Sequence, residues 1–395
     1  MFSNLLHILD SNFFNLLLVM VVIWSVGIFL EKLKIPLVIG QLIAGIIIGP
    51  AVLNWIKFTP GIQTLAQLGM FFLMFYAGLQ TDPKPMKKIL ASSLLIGVMG
   101  TIFPFALGFF AVYQIEGNFL QALFIGMAIS GTSLVTKTRI LDEFGILKSK
   151  IGHSMVGAAI VDNIVSFILL AVVIKTCRLG TINLWDGIFT SVEVMTFFAV
   201  TLFIGYVIFP RVGKMFADRS WLGFTFALIV GLFFAVLAEA IYLPFILGAY
   251  LAGLFVREEI MSSDAFHEMN DRLMIITNGF LGPIFIMSVS FKVSFDIIFE
   301  HPVLVCLVVV AAFIGKFLGV FLGSKFSRFS TGEALAMGVG MNGRGAVELV
   351  FAATGVELGI LTNSHLSMLV FVAFATTLMT PFLLKRILRR NDILM

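Results

Sequence analysis

The sequence predicts an all-α polytopic membrane protein of about thirteen transmembrane helices. Three observations predict it: an extreme apolar composition, apolar stretches of spanning length in close succession, and a lopsided distribution of lysine and arginine. Of 395 residues, 59% are apolar, 43 are phenylalanine and only 12% are charged. That charged share is about half the ~25% of a soluble domain. Mean hydropathy is +1.07. A soluble fold of this length has no interior large enough for so much apolar surface, so lipid is the expected solvent.

The expected spans are 12–30, 36–55, 62–80, 88–113, 119–140, 151–174, 187–210, 221–240, 243–257, 270–291, 301–325, 332–354 and 363–385. Each is an apolar stretch of about 20 residues, bounded by short polar loops. No basic region precedes residues 12–30 and no small-residue cleavage site follows, so the first span is expected to remain in the mature protein. No water-soluble domain is expected at either end. With this assignment, four basic residues (Lys57, Lys175, Arg178 and Lys292) fall on the N-terminal side and nineteen on the other. The positive-inside rule then puts the N-terminus outside and the C-terminus in the cytoplasm. The net charge of +4 is thus mostly cytoplasmic loop charge, which makes nucleic acid a poor reading of the basicity. Cys177 and Cys306 lie in separate apolar stretches without metal-ligand spacing and read as packing residues.

An internal repeat is legible. Residues 35–48, IPLVIGQLIAGIII, match 243–256, LPFILGAYLAGLFV, with Pro36, Gly40, Ala44 and Gly45 opposite Pro244, Gly248, Ala252 and Gly253. FLMFYAGL at 72–79 lies opposite IFIMSVSF at 284–291. The first pair occupies spans 2 and 9, an odd number apart, so the copies run oppositely: an inverted-topology repeat. Extending it sets span 5 against span 12. Both carry helix-breaking residues mid-span, Ser130-Gly131-Thr132-Ser133 in one and Gly338, Gly340, Asn342, Gly343, Arg344 and Gly345 in the other. Backbone groups freed at such breaks cannot be satisfied by lipid, so paired breaks survive where two unwound helices cross around a site. The bland reading of each break alone is small residues for close packing.

Charges deep in a span cost at least about 2.5–3.5 kcal/mol on insertion scales and need partners. The candidates are Asp162, Lys316, Arg344 and Glu348. Asp162 sits mid-span beside Asn163. A carboxylate at that depth binds either a proton or a small cation, and their competition is the simplest basis for antiport. Lys316 is expected within salt-bridge reach of Asp162. Gly315, Gly319 and Gly323 around it give one smooth face for packing. Arg344 and Glu348, four apart on one helical face, are expected to pair. Lys137 reads as a residue that snorkels to the cytoplasmic surface. Glu193 and Glu239 read as interfacial. The histidines form no metal cluster, and His153 is a pH-sensing candidate only. No cofactor motif is present, nor zinc ligands or a Ser–His pair to suggest an enzyme.

These residues carry a resemblance. IPLVIGQLIAGIIIGP (35–50), FYAGLQTD (75–82), GTSLVTKTRILDEFG (131–145), AAIVDN (158–163), GKFLGVFLG (315–323) and GMNGRGAVELVFA (340–352) make the chain similar, over nearly its whole length, to the monovalent cation:proton antiporter-2 family of Kef-type and NapA-type proteins. The resemblance implies one transmembrane unit that is a homodimer in the bilayer and exchanges Na⁺ or K⁺ for H⁺ by elevator-like movement. It implies core-domain halves at 88–174 and 301–387, dimerisation or scaffold halves at 12–80 and 221–291, and a linker helix at 187–210. It matches Asp162 to the first position of the family's polar pair, which can salt-bridge the family's lysine, and Asn163 to the second, in many members the ion-binding aspartate. Ion binding and proton exchange are expected at Asp162, Asn163, Thr132 and Ser133, with Asp162 read as the carboxylate for the transported metal cation. Lys316, Arg344 and Glu348 support the site's charge. The bacterial inner membrane is the implied location.

One position departs from the family. Relatives usually carry aspartate second in the pair, where this chain has Asn163. Three readings stay open: Asp162 has taken over ion binding, the site is altered to an uncoupled or channel-like pathway, or Glu348 supplies the exchangeable carboxylate. The first is favoured. An organic-anion transporter of the same fold, using Lys316 and Arg344, is the alternative. The cytoplasmic nucleotide-binding domain of Kef-type members is not expected here.

Overall fold

The structure is a computed structural model that describes residues 12–33, 37–56, 59–81, 90–179, 184–207, 211, 220–255 and 263–390. Among them every regular element is helical. In chain order these are α1 (Asn12–Leu33), α2 (Leu37–Ile48), α3 (Pro60–Leu79), α4 (Leu90–Glu116), α5 (Phe119–Ala128), α6 (Leu134–Glu143), α7 (Lys150–Leu179), α8 (Leu184–Val207), α9 (Ser220–Ala240), α10 (Phe245–Phe255), α11 (Ser263–Ile276), α12 (Gly282–Ser290), α13 (Asp296–Glu300), α14 (Pro302–Phe326), α15 (Thr331–Gly340), α16 (Ala346–Glu357) and α17 (Asn363–Arg390). A π-helical turn, Thr277–Leu281, joins α11 to α12.

Among the described residues seven helical stretches are long and apolar enough to cross a membrane: Pro60–Leu79, Ala91–Glu116, Lys150–Cys177, Leu222–Ala240, Phe266–Ser290, Pro302–Phe326 and Asn363–Arg390. The remaining apolar stretches among the described residues, Phe13–Phe29, Leu37–Ile48, Phe119–Ala128, Val192–Gly205 and Phe245–Phe255, are shorter. The expected spans at 119–140 and 332–354 are each divided in two, and those at 36–55 and 243–257 hold helices of 12 and 11 residues. Large apolar side chains such as Leu94, Ile102 and Phe110 on α4 and Ile229, Phe233 and Val236 on α9 are exposed. A surface of this kind is what a lipid environment accommodates.

The chain forms two compact units, one from Met1–Thr81 and Met195–Val293, the other from Asp82–Val194 and Ser294–Met395. In the first, α2 packs on α12 and α10 packs on α3. The closeness of both contacts depends on glycine. A Cβ on Gly253 would lie 2.0 Å from the Phe75 carbonyl and 3.0 Å from Gly78 Cα. A Cβ on Gly45 would lie 2.6 Å from Ser290 Cβ and 3.2 Å from Met287 Cα. Gly45 and Gly253 are matched positions of the two sequence copies, and so are Phe75 with Met287 and Gly78 with Ser290. Each copy's first helix therefore packs on the other copy's second helix through equivalent residues.

In the second unit α14 lies along α4. Gly315, Gly319 and Gly323 make the contact: added Cβ atoms would fall 2.5 Å from Pro104 Cα, 2.2 Å from the Met99 carbonyl and 2.8 Å from Ile96 Cα. The smooth face expected from the sequence is present, and it brings Lys316 against α4. Apolar side chains of α6, α7, α15 and α17, among them Leu141, Met155, Met337 and Leu384, close a core around these helices. Cys177 is partly buried, whereas Cys306 is exposed on α14, so packing does not account for the second cysteine.

Candidate functional site

Two helices of the second unit stop and restart, and their ends are built for it. α5 ends at Ala128, and α6 begins at Leu134 behind Ser133, whose hydroxyl accepts from the Thr136 N–H. α15 ends at Gly340, and α16 begins at Ala346. The two breaks meet. The Ser133 N–H faces the Gly343 carbonyl at 3.5 Å, and the Thr136 hydroxyl donates to the Arg344 carbonyl at 3.2 Å. Gly345 permits this approach, since a Cβ there would lie 2.8 Å from Ser133 Cβ.

Carbonyls released by the first break are taken by buried cations. Lys316 Nζ, from α14, donates to the Ser130 carbonyl at 2.8 Å, and an Arg344 Nη1–H donates to the Gly131 carbonyl at 3.2 Å. Unsatisfied backbone groups and unpaired charges are both costly away from water, and each here answers the other.

Asp162, on α7, is the centre of the cluster and is fully buried. Its Oδ1 accepts from Lys316 Nζ at 2.7 Å and from the Thr101 hydroxyl of α4 at 2.6 Å. Its Oδ2 accepts from the Thr132 hydroxyl. Lys137 Nζ in turn donates to Thr132 Oγ1 and stands 3.7 Å from Asp162 Oδ2. The carboxylate thus sits between two ammonium groups, one on each oxygen. Nearby, Arg344 Nη1 pairs with Glu348 Oε1 at 2.9 Å, with Arg344 in the break ahead of α16 and not on the shared helical face expected from the sequence. Arg344 Nη2 also donates to the Ala312 carbonyl at 3.4 Å, and the Arg344 N–H donates to the Thr377 hydroxyl at 3.0 Å.

Most of the residues singled out from the sequence meet here, with particular differences. Ser133 caps α6 and makes its backbone contact to Gly343 instead of reaching Asp162. Asn163 is buried beside Asp162, but its Oδ1 has no hydrogen-bond donor among the described residues. Lys137 corrects the sequence reading. It does not snorkel to the surface: its side chain is fully buried and turned to Asp162. The buried carboxylate of Asp162, twelve residues into α7, offers the ammonium a partner that the apolar surroundings of α6 alone do not, and that pairing outweighs hydration at the interface. Thr101 was missed. Its only signal was being a lone hydroxyl in GVMGTIFPF. Glu193 is half-exposed and pairs with Lys175, and Glu239 is exposed, in keeping with an interfacial reading. His153 is exposed on α7, its Nδ1 near the Ser149 carbonyl. No group of three or more metal-ligating side chains occurs among the described residues.

Comparison with known proteins bears on this arrangement. The profile of the family described as "Sodium/hydrogen exchanger, transmembrane" matches residues 16–390. The chain is 30% identical over 375 residues to the Na(+)/H(+)-K(+) antiporter GerN of Bacillus cereus, covering 94% of this chain and 95% of that protein. It is 26% identical to a Na(+)/H(+) antiporter of Enterococcus hirae, covering 95% and 97%. Among solved structures, the sodium proton antiporter MjNhaP1 from Methanocaldococcus jannaschii superposes with a TM-score of 0.74 over 93% of this chain and 94% of that one. At 15% sequence identity this last likeness is one of fold.

Proposed function

The chain belongs to the sodium/hydrogen exchanger family, and from that premise we propose that it exchanges Na⁺ or K⁺ for H⁺ at Asp162. It is an integral membrane transporter and not an enzyme. Na⁺ follows from the names of its relatives, and K⁺ from that of the GerN relative in particular. One observation carries the reading: a fully buried carboxylate whose oxygens face the junction of two interrupted helices. A proton and a monovalent cation compete for such a group, so binding one releases the other.

In the same reading the chain crosses the bilayer thirteen times as an inverted repeat, with its N-terminus outside and its C-terminus in the cytoplasm of a bacterial cell. The reciprocal packing of α2 on α12 and α10 on α3 supports the repeat. The unit containing Asp162 is the moving body of an elevator, and the protein works as a homodimer. Thr132 and Asn163 lend oxygens to the ion, while Lys316, Arg344 and Glu348 balance the charge. The organic-anion alternative is not favoured, because the relatives exchange cations for protons. Only the family resemblance supports movement and dimerisation.

Reconstituted protein read with a pH-gradient dye tests the exchange. Addition of Na⁺ or K⁺ is expected to dissipate the gradient, and Asp162→Asn to abolish that response in a protein that remains monodisperse. Asn keeps the shape and can still accept from Thr101. Undiminished cation-coupled flux in Asp162→Asn would refute the assignment and move the exchange to Glu348.

A further inference from the structure

We propose that Lys137 is a tethered competitor for the transported cation, holding the place beside Asp162 that an arriving ion must take, and so sets the cation affinity of the site. The inference rests on the exchange reading above, in that Asp162 is taken as the ion's carboxylate.

The contacts of Lys137 carry it. Its Nζ donates to Thr132 Oγ1 and stands 3.7 Å from Asp162 Oδ2. The Thr132 hydroxyl spends its proton on Asp162 Oδ2 and therefore offers only lone pairs outward. One carboxylate oxygen and one hydroxyl oxygen thus face the same point, and an ammonium fills it. A small hard cation seeks the same ligands. Lysine suits the part, since its head is a compact single charge on a flexible four-carbon stem. The other oxygen of Asp162 is not equivalent. Oδ1 is held by Lys316 and Thr101 together, and Lys316 is anchored a second time on the Ser130 carbonyl. Lys137 is the looser of the two ammonium groups.

Charge balance leads to the same residue. The buried charged side chains among the described residues are Lys137, Lys316 and Arg344 against Asp162 and Glu348, leaving one positive charge in excess. A monovalent cation added to that set meets two positive charges too many for its anions. With the Lys137 ammonium displaced, the ion replaces a charge instead of adding one. Removing Lys137 leaves a neutral cluster, which accepts a cation more readily because an unbalanced charge is expensive in a low-dielectric interior.

The test compares the unsubstituted protein with Lys137→Met, an unbranched apolar replacement of similar length, and with Lys137→Arg, which keeps the charge. Two quantities are read: the Na⁺ and K⁺ concentrations giving half-maximal proton flux in proteoliposomes, and those giving half-maximal thermal stabilisation in detergent. For Lys137→Met both are expected to fall at least about tenfold, with the maximal flux moving less than the midpoint. Lys137→Arg, which keeps the charge but not the compact head, is expected to lower the midpoints less than Lys137→Met does. A merely structural lysine would change melting without shifting the cation midpoint. An unchanged or raised midpoint in Lys137→Met, or no cation-dependent stabilisation in either protein, overturns the proposal. Should Lys137→Met fail to fold, Lys137→Gln is read by the same criteria. Absence of flux alongside a shifted stabilisation midpoint would reject the exchange reading and leave the tether standing.

Discussion

Asp162 is held by three direct donors, Thr101, Thr132 and Lys316, with Lys137 behind Thr132. Its neighbour Asn163 is buried with an amide oxygen that no described group satisfies. The contrast bears on which residue exchanges the proton. Asn163→Asp would place a second carboxylate where no donor awaits it. The expected result is no gain in cation-coupled flux and a loss of about 1–3 kcal/mol in stability, the usual cost of an unsatisfied buried polar group. Flux assays beside thermal unfolding check it, and increased exchange would identify an altered two-carboxylate site. Arg344 makes a different demand. It bridges Glu348, Gly131 and Ala312 across the breaks. Arg344→Leu alone strands the Glu348 carboxylate and is expected to cost about 3–5 kcal/mol. Arg344→Leu with Glu348→Leu is expected to recover part of that loss in the same unfolding assay, because no buried charge is then left unpaired.

At the scale of the element, small residues decide how near helices come and capping decides where they stop. Gly253 lies so close to the Phe75 carbonyl that any Cβ would collide at 2.0 Å with rigid backbone. Gly253→Leu is expected to cost about 3 kcal/mol or more and to reduce the yield of monodisperse protein, since overpacking here moves a whole helix. Gly279 is the control: a Cβ there meets nothing within 4 Å, so Gly279→Ala is expected to leave yield and melting nearly unchanged. A cap that the sequence reading did not find begins α17. The His365 N–H donates to Thr362 Oγ1 at 3.3 Å, and His365 Nδ1 accepts from the Thr362 N–H at 3.2 Å. Histidine here fills the place that Glu or Gln takes in a capping box. Its Nε2 reaches Glu116 at 3.1 Å and so ties the start of α17 to the end of α4.

For the whole molecule, the expected orientation gives a direct test. A fluorescent protein that matures only in the cytoplasm is expected to be bright when fused after Met395 and dark when fused before Met1. The reverse pattern would invert the proposed topology and with it the direction in which the site opens. Composition alone determined that lipid is the solvent, because no water-soluble interior could hide so much apolar surface. Pattern alone located the two breaks, since helix-breaking residues act locally along the chain. The glycine face that carries α14 against α4 was legible for the same reason. Thr101 was not, nor were the partners of Lys137 and Ser133. Whether a lysine in VTKTRI turns to water or to a carboxylate depends on what another helix offers it, and helix periodicity says nothing of that partner. The cap at Ser133, the orphaned oxygen of Asn163 and the two ammonium groups on Asp162 were likewise decided by tertiary structure, because burial away from water leaves each polar group only the partners that folding brings within reach.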